Sequence, residues 1–299
     1  MTSSPSLELA GVTRRFGDVT ALDDVSFTVS PGRLTGFVGA NGAGKTTTMR
    51  VVLGITRPDA GTVRWAGGEV DLAARQSFGY MPEERGLYPK MPVLAQLVFL
   101  GQLYGLPEAA ARASASALLE RVGLADRAGD RLDSLSLGNQ QRVQVAAALV
   151  HDPVLLLLDE PFSGLDPVAV DALAGLLRER AARGVPVLFS SHQLELVEQL
   201  CDDVVILDHG RVVAAGRASE LRTASAPRRY RVVVEPDAGF LREVPGLVVL
   251  DVDGPAALVE LPEDGDEQAI LRRALAHGPV RELRPVVPTL AQIFREVVR

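Results

Sequence analysis

Val38-Gly39-Ala40-Asn41-Gly42-Ala43-Gly44-Lys45-Thr46-Thr47 is the stretch whose reading decides the fold. An apolar run ends at Val38. Glycines follow at 39, 42 and 44, and then Lys45 to Leu53 carries apolar residues at helical spacing until Gly54 breaks the pattern. The sequence therefore predicts strand, glycine loop and helix in succession. Gly39-x-x-x-x-Gly44-Lys45-Thr46 matches a phosphate-binding loop in full. The glycines, with Asn41 and Ala43 between them and Thr47 in the helix start, let successive backbone N–H groups curl round a polyphosphate at a helix N-terminus. Lys45 reaches the β and γ oxygens, and the Thr46 hydroxyl suits Mg²⁺. Basic residues are otherwise arginine almost everywhere, and Lys90 is the only other lysine. A lysine at this position stands out against that background.

Working outward, Leu7 to Val12, Val25 to Val29 and Arg33 to Val38 read as short strands separated by Gly, Asp and Pro turn signals. Downstream, about 91–150 is alanine-rich with helical periodicity, which predicts a mostly helical insertion. Val154 to Leu158 is a continuous apolar run, as expected of a strand buried on both faces. Val185 to Ser190 and Val204 to Leu207 follow after intervening helices. The fold class is therefore α/β with a parallel-rich core sheet. The buried strand runs into Asp159-Glu160, which puts two carboxylates at the nucleotide edge of such a sheet. Asp159 is expected to hold Mg²⁺, and Glu160 to orient or deprotonate an attacking water.

A short helix, Ser219 to Thr223, leads to Ala224-Ser225-Ala226-Pro227, a small-residue linker with a proline stop. The boundary is placed there, giving domains 1–224 and 225–299. The second reads as a compact α+β unit with strands Tyr230 to Val234, Leu247 to Val252 and Ala257 to Leu261. A helix from Glu267 to Ala276, a strand near Val280 to Leu283 and a last helix follow. In that last helix Leu290, Ile293, Phe294 and Val297 share one apolar face, with Thr289 placed to cap its start.

Composition sets the limits. Of 299 residues, 47% are apolar and 23% charged, the balance of a folded globular chain. A net charge of −7 lacks the basic excess that binding to a phosphate backbone requires, so no nucleic acid partner is expected. Cys201 is the single cysteine, so no intrachain disulfide is possible, which suits a reducing cytoplasm. Neither a leader nor a membrane-spanning stretch is read from the sequence, so the chain is expected to be soluble and not exported.

Leu135-Ser136-Leu137-Gly138-Asn139-Gln140-Gln141-Arg142 brings these pieces together, because it resembles the signature motif Leu-Ser-Gly-Gly-Gln of ATP-binding cassette transporters. The resemblance is to their nucleotide-binding subunit, a phosphate-loop cassette with an antiparallel β-subdomain and a helical insertion. Ser136 and Gly138 stand at a helix start, where a hydroxyl and N–H groups can meet a phosphate. Leu137 and Asn139 depart from the motif. Phe162-Ser163-Gly164-Leu165-Asp166-Pro167 resembles the loop through which two cassettes communicate, with Asp166 carried over. His192, after Phe189-Ser190-Ser191, matches the histidine that contacts the γ-phosphate, and Phe16 matches the aromatic that stacks on adenine. Glu83, in Met81-Pro82-Glu83-Glu84, stands where the family usually has a glutamine that touches Mg²⁺ and the membrane partner.

The resemblance spans Leu7 to about Leu221 and implies an ATPase using ATP and Mg²⁺. Such a subunit dimerises around ATP, with itself or a related subunit, and powers a transmembrane permease from the cytoplasmic face of the membrane. Residues 225–299 resemble the C-terminal domain of subunits related to sodium-extruding and antibiotic-resistance exporters, which favours export of a small molecule, drug or ion. The alternatives are soluble cassette ATPases. A DNA-linked one carries long coiled coils ahead of the signature, and no sustained heptads occur here. A translation-linked one carries two cassettes, and a regulatory one binds ATP without turnover.

Overall fold

The computed structural model describes residues 5–84, 86–224, 228–262 and 265–297. Ser225-Ala226-Pro227 of the expected linker and the side chain of Val297 lie outside them. The chain divides into two compact units, the first ending at Ala218 and the second spanning Ser219–Glu296.

In chain order the strands are β1 (Leu7–Phe16), β2 (Val19–Val29), β3 (Leu34–Val38), β4 (Ala60–Trp65), β5 (Gly68–Glu69), β6 (Phe78–Met81), β7 (Leu155–Leu158), β8 (Val187–Ser191), β9 (Asp203–Asp208), β10 (Arg211–Arg217), β11 (Arg228–Val234), β12 (Val248–Asp253), β13 (Ala256–Leu261) and β14 (Val280–Val286). The helices are α1 (Lys45–Val52), α2 (Leu72–Gln76), α3 (Val93–Leu103), α4 (Glu108–Arg121), α5 (Leu137–Leu149), α6 (Pro167–Ala182), α7 (Leu194–Leu200), α8 (Ala218–Ala224), α9 (Glu267–His277) and α10 (Leu290–Val297).

The central sheet of the first unit has the order β10-β9-β3-β8-β7-β6. Its five strands from β9 to β6 pair in parallel, and β10 closes the edge antiparallel to β9. β3, β7 and β8 are buried along their whole length; β7 is an unbroken apolar run, as expected of a strand covered on both faces, whereas β3 and β8 also bury Thr35, Ser190 and Ser191. A second, antiparallel sheet, β2-β1-β4-β5, packs into the same core through Leu7, Leu22, Val25 and Val29. Between β6 and β7 lies the helical insertion. α4 buries Ala111, Ala115, Leu118 and Leu119, the i, i+4, i+7, i+8 stripe of an amphipathic helix.

The second unit is a four-stranded antiparallel sheet, β12-β13-β11-β14, carrying α9, with Val232, Val234, Val259, Ile270 and Ala274 in its core. At the start of α10, Thr289 Oγ1 accepts from the Gln292 N–H (3.3 Å). The Gln292 side-chain oxygen in turn accepts from the Thr289 N–H (2.8 Å). This reciprocal capping box fixes the helix start, and Leu290 and Ile293 are buried behind it.

Candidate nucleotide site

Two glycines fix the loop after β3. A Cβ on Gly39 would lie 2.4 Å from the Leu207 carbonyl oxygen, so the loop crosses β9 too closely for any side chain. Gly44 has φ +109 and would put a Cβ 2.6 Å from the Ala21 oxygen, so the turn into α1 is open only to glycine. The loop wraps a cavity of about 320 Å³. Asn41, Gly42, Gly44, Lys45, Thr46, Thr47, Glu83, Asp159 and Glu160 all line it, together with Ala21. Gly39 and Ala43 shape the loop from behind: the Ala43 N–H bonds the Ala40 oxygen (3.1 Å), so that amide is used within the turn.

Lys45 is nearly buried, and its ammonium donates to the carbonyls of Gly39 (2.7 Å) and Ala40 (3.1 Å). That satisfies a cation at the cavity wall without a carboxylate partner. One residue on, Thr46 Oγ1 donates to Asp159 Oδ2 at 2.6 Å, joining the loop to the end of β7. Asp159 is only 1% exposed. Its other oxygen accepts from Ser190 Oγ at 2.5 Å, and its N–H donates to the Met81 carbonyl at the end of β6 (2.8 Å). Burial and the nearby Asp159 charge together push the Tyr80 phenol above its ordinary range.

Glu160 adopts φ +51, the left-handed region that residues with a Cβ rarely enter. The turn separates two neighbouring carboxylates: Asp159 faces Thr46, whereas Glu160 lies 3.0 Å from His192 Nδ1. His192 follows β8 and is half exposed.

The remaining expected residues stand outside the cavity lining. Ser136 caps α5 by accepting from the Asn139 N–H (3.4 Å) and is exposed, and Gly138 lies in the first turn of α5. A Cβ on Gly138 would approach the Gly164 oxygen to 3.0 Å, so this helix start rests against the 162–167 loop. Asp166 caps α6 by accepting from the Ala169 N–H (2.9 Å), and it pairs with Arg142 of α5 at 3.3 Å. Phe16 is 48% exposed at the end of β1, with the Arg14 guanidinium 4.5 Å above one ring face.

Three buried side chains with no role in the sequence-based reading hold this site. Ser190 bridges Asp159 and Glu160; Gln141 donates to the Glu160 carbonyl (2.9 Å); and Gln144, one turn further along α5, donates to the carbonyls of Pro82 (2.7 Å) and Glu84 (3.1 Å) on either side of Glu83. The signal was polar residues at positions that burial makes costly unless they are paired.

A family model described as "ABC transporter" matches residues 22–163, and one described as "ATP-binding protein DrrA1-3-like, C-terminal domain" matches residues 216–298. The chain is 37% identical over 292 residues to an uncharacterized ABC transporter ATP-binding protein, YhaQ, of Bacillus subtilis, covering 98% of each. It is 39% identical over 224 residues to the Nod factor export ATP-binding protein I of Ralstonia nicotianae, covering 74% of this chain and 70% of that one. A solved ATP-binding subunit of an ABC transporter superposes with a TM-score of 0.68 at 34% identity, over 73% of this chain and 92% of that one.

Proposed function

The chain belongs to the ABC transporter family as an ATP-binding subunit, an ATPase coupled to transport, and we propose that its 39–46 loop, Asp159, Glu160 and His192 form the hydrolytic half-site. The observation that carries this reading is the divergence of the two adjacent carboxylates. Asp159 is tied to Thr46 at 2.6 Å, and Glu160 is turned by its left-handed backbone to His192 at 3.0 Å.

In this reading the free amides of the loop and the Lys45 ammonium bind the β- and γ-phosphates of ATP. Thr46, Asp159 and Glu83 offer hard oxygen donors around one cavity. Among the described residues no cluster of three or more His, Cys, Asp or Glu side chains could cage a metal unaided. That donor set fits Mg²⁺, which is usually held by one or two carboxylates plus the phosphates of its nucleotide. When bound, Mg²⁺ supplies charge neutralisation on the phosphate oxygens. The Glu160 carboxylate takes the proton of the attacking water, and His192, with hydrogen on both ring nitrogens, donates through Nδ1 to Glu160 and through Nε2 to the γ-phosphate. Phe16 offers its free face to the adenine. The products are ADP and phosphate.

Ser136 and Gly138 lie outside the cavity of their own chain, which supports their serving the site of a second copy or a related subunit, with Asp166 linking the two. ATP then favours a closed pair of subunits, and hydrolysis releases it. The Glu83 loop and the helical insertion pass that difference to a transmembrane permease, which holds this subunit at the inner membrane face. The name of the Ralstonia relative and the match of the C-terminal domain favour export of a small molecule, drug or ion.

Two experiments test the proposal. Co-purification of the native protein from detergent-solubilised membranes should recover a multi-span partner, and a soluble complex without one would overturn the transport role. Glu160→Gln should lower turnover by about two to four orders of magnitude while nucleotide still binds, as for a lost general base. Wild-type turnover in that variant would remove Glu160 from the chemistry.

A further inference from the structure

We propose that Ser190 and Gln141 are positioning residues that hold the Glu160 peptide in its left-handed turn and so aim the carboxylate at the attacking water; this rests on the reading of Glu160 as the base. A non-glycine residue at φ +51 persists only where its surroundings over-determine it. Here both polar ends of the residue are held by side chains. The Glu160 N–H donates to Ser190 Oγ at 2.8 Å, and the Glu160 carbonyl accepts from Gln141 Nε2 at 2.9 Å as well as from the Ser163 N–H at 3.2 Å.

The direction of these bonds is fixed by the chemistry of the groups. A serine hydroxyl has one hydrogen, and an ionised carboxylate can only accept. Ser190 therefore gives its hydrogen to Asp159 Oδ1 at 2.5 Å, and only its lone pairs remain to receive the Glu160 N–H. One hydroxyl thus ties the Asp159 carboxylate to the Glu160 backbone. Ser190 is fully buried and Gln141 is 6% exposed, and neither lines the cavity, so neither can touch substrate. Because Gln141 stands on α5, the same helix that begins with Ser136 and Gly138, the aim of Glu160 also depends on where that helix sits.

Ser190→Ala removes two bonds, one to the Asp159 carboxylate and one from the Glu160 N–H, whereas Gln141→Met removes only the one to the Glu160 carbonyl and keeps the shape of the side chain. Each should lower kcat by about tenfold or more at saturating ATP and Mg²⁺, and in Gln141→Met, which leaves Asp159 untouched, KM and nucleotide affinity should stay within about twofold of wild type. A merely structural role would instead lower kcat, affinity and melting temperature together. Ser190→Thr, which keeps the hydroxyl, should restore kcat to within about threefold of wild type. Gln141→Met touches only the Glu160 arm and decides the matter if the Ser190 variants fail to fold. Wild-type kcat in Gln141→Met, or parallel loss of binding and turnover, would overturn the proposal. Glu160→Gln, assayed beside them, separates the two failures: if it turns over normally the parent reading falls, and if it alone is inactive only the positioning role falls.

Discussion

Thr46→Val tests the link between the loop and β7 most directly. Valine keeps the shape of threonine and a similar helix propensity, but it cannot donate to Asp159 Oδ2, the 2.6 Å bond that joins α1 to the end of β7. Asp159 is 1% exposed, so the freed oxygen cannot take up bulk water in exchange. Loss of a hydrogen bond to a charged group costs about 1.5–3 kcal/mol. Replacing a half-buried hydroxyl by a methyl returns up to about 0.8 kcal/mol. The lost bond wins, and the net is about 1–2 kcal/mol of destabilisation without metal. That corresponds to a melting temperature about 2–8 °C lower for a unit of this size. The measurement is thermal unfolding in EDTA, repeated with ATP and with ATP plus Mg²⁺. Ligand at about a hundred times its dissociation constant stabilises by about 2.7 kcal/mol. In wild type that gain should depend on Mg²⁺, and in Thr46→Val the Mg²⁺-dependent part should vanish. An unchanged melting temperature in EDTA would refute the weight given to the bond, and a retained Mg²⁺ increment would refute the hydroxyl as a metal ligand.

Two further outcomes follow from local geometry. Gly61 has φ +82, and a Cβ there would lie 2.3 Å from the carbonyl of Gly11 where β1 bulges; Gly61→Ala should cost about 2–4 kcal/mol by chemical denaturation, and a cost below about 0.5 kcal/mol would mean that the β1–β4 crossing can yield. Burial lowers the proton affinity of the His151 imidazole, against the opposing pull of the Phe78 carbonyl and the Asp152 charge. Its folded pKa lies below the unfolded value near 6.5, so the unfolded chain takes up the proton first as pH falls. The stability is therefore fully present above pH 6.5 and is lost below it. His151→Phe keeps a ring stacked on Tyr104 and should show a smaller drop in melting temperature between pH 8 and 5.5 than wild type; equal drops would exclude His151 as the source.

The parts of the fold legible in the sequence are those where one local signal dominates. The unbroken apolar run at 154–158 identifies β7, although Val154 itself is exposed and the strand begins at Leu155. β6 is hidden because it has only four residues, Phe78–Met81, and includes Gly79, where a Cβ would come within 2.4 Å of the Ala148 oxygen at the end of α5. A tertiary approach dictates that glycine, and locally it reads as a breaker. β4 and β10 have mostly exposed or half-exposed faces and little alternation to reveal them. The loop residues, Asp159 and Glu160 were legible because loop and strand-end chemistry is local, whereas Glu83 was reached only through the family resemblance and Ala21 was not read at all. The left-handed turn at Glu160 and its holders were not, since Ser190 and Gln141 come from a strand and a helix distant in sequence.

Trp65 is the only tryptophan in the chain, and it packs edge-on against Phe78 with ring centroids 5.2 Å apart, joining β4 to the first residue of β6. Emission excited selectively in tryptophan therefore arises from the first unit alone, while far-ultraviolet dichroism reads both. The native chain thus carries its own single-site optical probe, whose ring partner Phe78 stands three residues ahead of the strand end that leads into the Glu83 loop, and the melting of the nucleotide-binding unit can be followed without any label.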